Sequence, residues 1–73
     1  MEYTETEQLF ISELKQLSIE KENAQEIDEM TIDKKIYSFI DRVINTYTNP
    51  NFSNSISIKG LCLIISTATF LLE

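Results

Sequence analysis

The feature that most constrains this 73-residue chain is an uncharged run from Gly60 to Leu72. Apolar surface of that length is stable only when it is removed from water, by the rest of the chain, a second copy, a partner protein or a bilayer. A spanning helix needs about 20 apolar residues, and this run is shorter and contains the hydroxyls of Ser66, Thr67 and Thr69. We therefore expect protein to cover the run and disfavour a membrane role.

Two overlapping apolar stripes at helical spacing run through this segment and predict a helix over about 57–72 rather than a strand. Its apolar surface covers more than half of the circumference, which is typical of a helix buried on most sides. A small bundle would leave part of that surface uncovered, so a homodimer interface and complete internal burial are both open. The candidate seam residues are Leu61, Ile64, Ile65, Ala68, Leu71 and Leu72.

The beginning of the chain carries a helix-start signal. Thr4 and Glu7 have the spacing of a capping box, in which each side chain bonds the backbone amide of the other residue. Phe10, Leu14 and Leu17 then follow at i, i+4 and i+7. This pattern predicts a first helix over about 5–18.

Residues 18–30 give a weaker signal, because few of them are apolar. Asn23 and Glu26 repeat the capping-box spacing, so a short separate helix over 24–30 is one interpretation. The segment contains no Gly or Pro, so continuation of the first helix is the other.

The clearest periodicity follows. Thr31 is placed to cap a helix over about 32–47, along which seven apolar side chains keep a 3.6-residue period. Pro50 disfavours helical geometry in the preceding residue and should end it. The loop from Thr48 to Ser57 is rich in turn-forming residues; we expect Phe52 to fold back onto the core and Ser55 or Ser57 to cap the last helix.

These elements predict one all-α domain over residues 1–73, a small antiparallel three-helix bundle with a short fourth helix near 24–30 as the open variant. A single core of this size contributes no more than about 3–5 kcal/mol of net stability, and oligomers or bound partners often supplement it.

Charge is distributed unevenly along the chain. Residues 1–30 carry a net charge of −7 and residues 31–73 a net charge of +1, which gives −6 in total. Such a balance disfavours direct nucleic-acid binding and favours a partner protein with a basic surface. An ordinary solvated helix face is the alternative explanation. The candidate partner-binding residues are Glu20, Glu22, Glu26, Asp28, Glu29 and Tyr37.

Most of the residue types that catalysis requires are missing. The chain has no His and a single Cys, Cys62, so a zinc site, a disulfide and an activated thiol are all disfavoured. We expect Cys62 to be a small buried hydrophobe. The sequence predicts no catalytic residue, no cofactor and no metal, and hence no enzyme.

The resulting functional expectation is a small acidic regulatory protein that acts by binding another protein. An inhibitor, an immunity or antitoxin-like protein, or a phage counter-defence factor would fit this description. The alternative is a structural subunit that assembles with copies of itself through its last helix. Polar residues after Met1 do not resemble a signal peptide, and a lone thiol suits a reducing compartment, so we expect a cytoplasmic location.

Overall fold

A computed structural model gives the architecture of the chain. It describes residues 3–52 and 55–72, without the side chains of residues 26 and 27. Within these residues the chain forms three helices that run up, down and up: α1 (Glu5–Asn23), α2 (Glu26–Thr48) and α3 (Ile58–Leu72). A 3₁₀ turn, Pro50–Phe52, follows α2. Each helix packs against the other two, and the predicted all-α three-helix bundle is confirmed.

The start of α1 follows the predicted capping box. Thr4 has an extended backbone, its hydroxyl oxygen accepts from the Glu7 amide at 3.1 Å, and the Glu7 carboxylate accepts from the Thr4 amide at 2.7 Å. Two of the otherwise unpaired first amides are thereby satisfied.

The region 18–30 differs from both the predicted end of the first helix and the predicted fourth helix. Helix α1 continues to Asn23, and the residues from Glu26 onward are the first turns of α2, so no separate helix spans 24–30. Thr31 accordingly lies within α2 and does not cap it. Since nothing between Ser18 and Asn23 breaks a helix, α1 propagates until the chain turns at Ala24 and Gln25.

The core lies between the three helices. Phe39 is fully buried, and the ring of Phe10 meets it edge-on at 5.7 Å, an arrangement that aromatic pairs prefer. The buried apolar residues are Leu14, Leu17, Ile32, Ile36, Phe39, Val43, Ile56, Ile64 and Ala68. Those from α2 belong to the periodic stripe of the sequence, and most of that stripe points inward. Ile44 was counted in the stripe but lies at its edge, where 44% of its surface is exposed.

Two residues expected in the interior are exposed. Phe52 leaves half of its side chain in solvent, because the loop residue that reaches the core is Ile56. Cys62 is exposed because Gly60, Ile64 and Ala68 form the buried row of α3, and a residue two positions from Gly60 and Ile64 points away from it.

Candidate functional site

The side of the bundle where α1 meets α2 is strongly charged. Three ion pairs join the two helices there: Lys21 with Asp33 at 2.7 Å, Lys35 with Glu20 at 3.1 Å, and Arg42 with both carboxylate oxygens of Glu13. Hydrogen bonding to Glu13 raises the pKa of Arg42, whose guanidinium also lies 5.8 Å from the centre of the Phe39 ring. These pairs neutralise charge within the chain.

Glu20 therefore behaves differently from the other predicted partner-binding acids. Its carboxylate accepts a hydrogen bond from Lys35 across the two helices. The pair is partly exposed, so it adds little to stability, but it compensates the charge that was expected to attract a partner.

The remaining acids of that segment gather at the connection between α1 and α2. Glu22, Asp28 and Glu29 are exposed, and within residues 3–52 and 55–72 none of them forms an ion pair. We call these three residues the acidic turn. The Glu26 side chain lies outside the described part of the structure.

An exposed apolar row runs along α2 from the acidic turn. Met30, Tyr37 and Ile44 are seven residues apart, which places them on one face of the helix, and they are 72, 62 and 44% exposed. This outer row of α2 lies on the flank away from α1, because the side chains that line the α1–α2 groove include Lys35 and Arg42. Tyr37, a predicted partner-binding residue, is thus accessible from solvent.

The predicted seam residues of α3 are engaged inside one chain. Ile64 and Ala68 are fully buried, so they are not available to a second copy in this fold. The other four are half-buried and pack against the core: Leu61, Ile65, Leu71 and Leu72. The apolar stripe that the sequence suggested for an oligomer is thus the stripe with which α3 attaches to α1 and α2.

The opposite side of α3 is the one that faces solvent. Phe70 is 72% exposed and Ile58 is 69% exposed, and Lys59 is the one charged residue in the helix. We call this side the outer surface of α3; it comprises Ile58, Lys59, Cys62, Leu63, Ser66, Thr69 and Phe70. Sequence reasoning missed it because both sides of the helix are apolar.

Glu7 is the buried polar residue of the interior, with 2% of its surface exposed. Besides capping α1, its second oxygen accepts from the Ser57 amide at 2.9 Å and from the Ser57 hydroxyl at 2.8 Å. That hydroxyl in turn accepts from the Gly60 amide at 3.0 Å, as the predicted cap of α3 should. One carboxylate therefore joins the first turns of α1 and α3.

The environment of Glu7 favours its ionised form. Burial alone raises the pKa of a carboxyl group, but the hydrogen bonds from the Thr4 amide and from the amide and hydroxyl of Ser57 outweigh burial and lower the pKa of Glu7. Gly60 makes room for this group, because a Cβ there would overlap the Glu7 Oε2 atom. The lone glycine of the sequence was the available signal for this close approach.

Among the described residues, no group of three or more His, Cys, Asp or Glu side chains could hold a metal ion. None of the helices in the described part of the chain is both long and apolar enough to cross a membrane.

The chain matches no protein family model, no curated protein and no solved structure. Three surfaces of the described residues are open to a partner: the acidic turn, the outer row of α2 and the outer surface of α3.

Proposed function

We propose that this chain is a small, non-catalytic, cytoplasmic regulatory protein that binds another protein through the outer row of α2 and the acidic turn. The observation that carries the proposal is the continuity of these two features. Three large side chains with exposed apolar surface share one helix face, and uncompensated carboxylates stand at the end where that row begins.

Each feature has a separate task in binding. The acidic turn would steer a partner with a basic patch and fix its orientation, because charges at an interface rim act mainly on association rate and register. The outer row of α2 would supply the contact that keeps the complex together. Tyr37, flanked by Lys34 and Asp41, is the expected anchor, since tyrosine is enriched among residues that dominate binding energy.

An inhibitor, an immunity or antitoxin-like protein, or a phage counter-defence factor is the class of protein that this proposal describes. Such a protein acts by covering a functional surface of its target. A small helical bundle with one exposed apolar row, here the outer row of α2, is sufficient for that task. The net charge of −6 suits a target whose own site is basic.

Comparative capture from a lysate of the source organism tests the proposal. The baits are the unaltered chain, Tyr37→Ala, and a triple variant of the acidic turn (Glu22→Gln, Asp28→Asn, Glu29→Gln). We expect a protein that the unaltered chain retains and both variants lose, identified by mass spectrometry. Its association rate with the purified chain should fall as salt rises.

Two controls keep this test specific. Leu9→Ala removes an equally exposed apolar side chain from α1. The second control is a triple lysine variant at three exposed polar positions of α1: Gln8→Lys, Ser12→Lys and Gln16→Lys. It raises the net charge of the chain by as much as the triple variant of the acidic turn does. Both controls should retain the captured protein, and equal losses with controls and variants would contradict the proposed interface.

A further inference from the structure

A small apolar cleft lies between α1 and α3, on the side of the molecule away from the outer row of α2. Its volume is about 250 Å³, and it is lined by Ile11, Leu14, Lys15, Ser18, Leu63, Ile64 and Thr67. Small-molecule sites usually measure roughly 300–1,000 Å³. A cleft below that range fits a single bulky side chain better than it fits a metabolite.

Phe70 is the most exposed large apolar side chain of α3. It follows Leu63 by seven residues, so both lie on the same face of α3, and it is 72% exposed although it stands within two turns of the cleft. It does not line the cleft of its own chain. An aromatic projection and an apolar recess therefore lie side by side on one surface.

A two-fold axis perpendicular to α3 would place the two features of one copy against those of another. In that arrangement the α3 helices run antiparallel, each Phe70 reaches the other copy's cleft, and the contact is isologous. Lys15 at the cleft rim would stand beside the incoming ring, where a cation is favourable.

The charge distribution supports a second copy on this side. Two chains of net charge −6 repel each other, and this repulsion is smallest where the surface is least acidic. The outer surface of α3 and the cleft contribute only Lys59 and Lys15, both of them cationic. Antiparallel pairing also points the two acidic turns in opposite directions, whereas parallel pairing would set them side by side.

Two threonine hydroxyls in this region already have hydrogen-bond partners within α3. The hydroxyls of Thr67 and Thr69 donate to the carbonyls of Leu63 and Ile65 at 2.8 Å. Covering these two hydroxyls therefore leaves neither donor without a partner, and the desolvation cost of burying them is small.

We propose that the outer surface of α3 and the adjoining α1–α3 cleft form the interface of a homodimer in which Phe70 of each copy occupies the cleft of the other. The contact is independent of the outer row of α2, which stays open to a different protein. Only one helix face and a cleft of about 250 Å³ form the contact, so we expect a weak, transient dimer with a dissociation constant of about 10 μM to 1 mM.

Sedimentation equilibrium of the full chain from about 10 μM to 2 mM, roughly spanning that range, is the test. The unaltered chain should move from monomer to dimer with rising concentration. Phe70→Ala should weaken dimerisation at least about tenfold, as expected when a central aromatic contact is lost. Ser18→Phe should weaken it similarly by filling the cleft from within its own chain.

Leu9→Ala is the matched control, because Leu9 is 68% exposed on α1 and does not line the cleft. It should leave the dissociation constant unchanged, and circular dichroism should show equal helicity for all variants. A chain that stays monomeric at 2 mM would overturn the proposal. A dimer that Phe70→Ala does not weaken, or that Leu9→Ala weakens as much, would overturn it too.

Discussion

The two contacts that α1 makes with its neighbours differ in where charge is placed. Against α2, charge stands at the surface, in three ion pairs whose side chains all keep some exposure to solvent. Against α3, a single charge is buried, the Glu7 carboxylate, and three hydrogen bonds replace its water. The first arrangement tolerates the loss of any one partner. The second requires every donor and the space left by Gly60.

The contrast between exposed ion pairs and a buried carboxylate indicates which contacts define the position of α3. Exposed ion pairs typically contribute about 0–1 kcal/mol each, because water competes for both charges. A buried carboxylate costs several kcal/mol when its hydrogen bonds are missing. The first turn of α3 is therefore fixed more sharply than any point along the α1–α2 side. The outer surface of α3 carries a single charge, that of Lys59.

The largest effect is expected from Gly60→Ala. The added Cβ would overlap the Glu7 carboxylate, so the carboxylate must move and lose its bonds to Ser57. We expect a loss of about 3 kcal/mol in the free energy of unfolding, measured by urea titration. Ser66→Ala, an exposed change in the same helix, should be nearly silent. If the clash is the cause, Gly60→Ala should cost much less in a Glu7→Ala background, where the carboxylate is absent, than in the unaltered chain; an equal cost in both backgrounds would contradict it.

The second largest effect is the loss of stability at acidic pH that follows from protonation of Glu7. Glu7 has an ordinary pKa of 4.5 when unfolded and a lower pKa when folded. Its contribution to stability is therefore complete above pH 4.5 and disappears as pH falls through the folded value. Glu7→Gln should cost about 1–3 kcal/mol at pH 7.

Urea titrations of the unaltered chain and of Glu7→Gln at several pH values measure this difference. The difference in the free energy of unfolding between the unaltered chain and Glu7→Gln should become smaller below pH 4.5. Glu5→Gln, an exposed neighbour in the same helical turn, is the control and should show no comparable gap. A gap for Glu7→Gln that stays constant down to pH 2 would show that its charge is irrelevant.

A smaller effect is expected at the α1–α2 side. A double-mutant cycle on Glu13→Ala and Arg42→Ala should give a coupling free energy of about 0.2–1 kcal/mol, lower in 1 M salt. Part of the cost of Arg42→Ala alone should survive in salt, because the guanidinium also packs near Phe39. A coupling as large as the effect of Glu7→Gln would remove the contrast between the two contacts.

The smallest effect is expected at Cys62. Cys62→Ser should change the free energy of unfolding by less than about 0.5 kcal/mol in dilute solution, because the side chain is exposed. Its thiol should react with a small disulfide reagent at the rate of an unfolded thiol. Slow reaction of the dilute monomer would mean that α3 is rotated about its axis relative to the structure described here.

Local rules predicted much of this fold. The period of α2, the capping box at Thr4 and the cap of α3 by Ser57 each depend on residues within a few positions of one another, so the sequence displays them directly. Phe39 and Ile36 could be assigned to the core for the same reason. The break between α1 and α2 was harder to place, because no residue there forbids a helix.

The rotation of α3 about its axis was not predictable from periodicity. When nearly every side of a helix is apolar, many rotations bury similar area, and a specific contact has to choose among them. Here that contact joins Glu7 and Gly60, which are distant in sequence. The capping box explained Glu7 locally, so its second oxygen gave no sign of a distant partner. The exposure of Cys62 and Phe70 follows from that choice.

The contact between Glu7 and Ser57, which are 50 positions apart in the sequence, also links the fluctuations of two helix ends. The Thr4 amide and the Ser57 amide donate to the same carboxyl group, so neither end can fray without disturbing the other. In hydrogen-exchange experiments the two amides should report one shared opening reaction with a common protection factor, even though each stands at the first turn of its helix, where exchange is ordinarily fast.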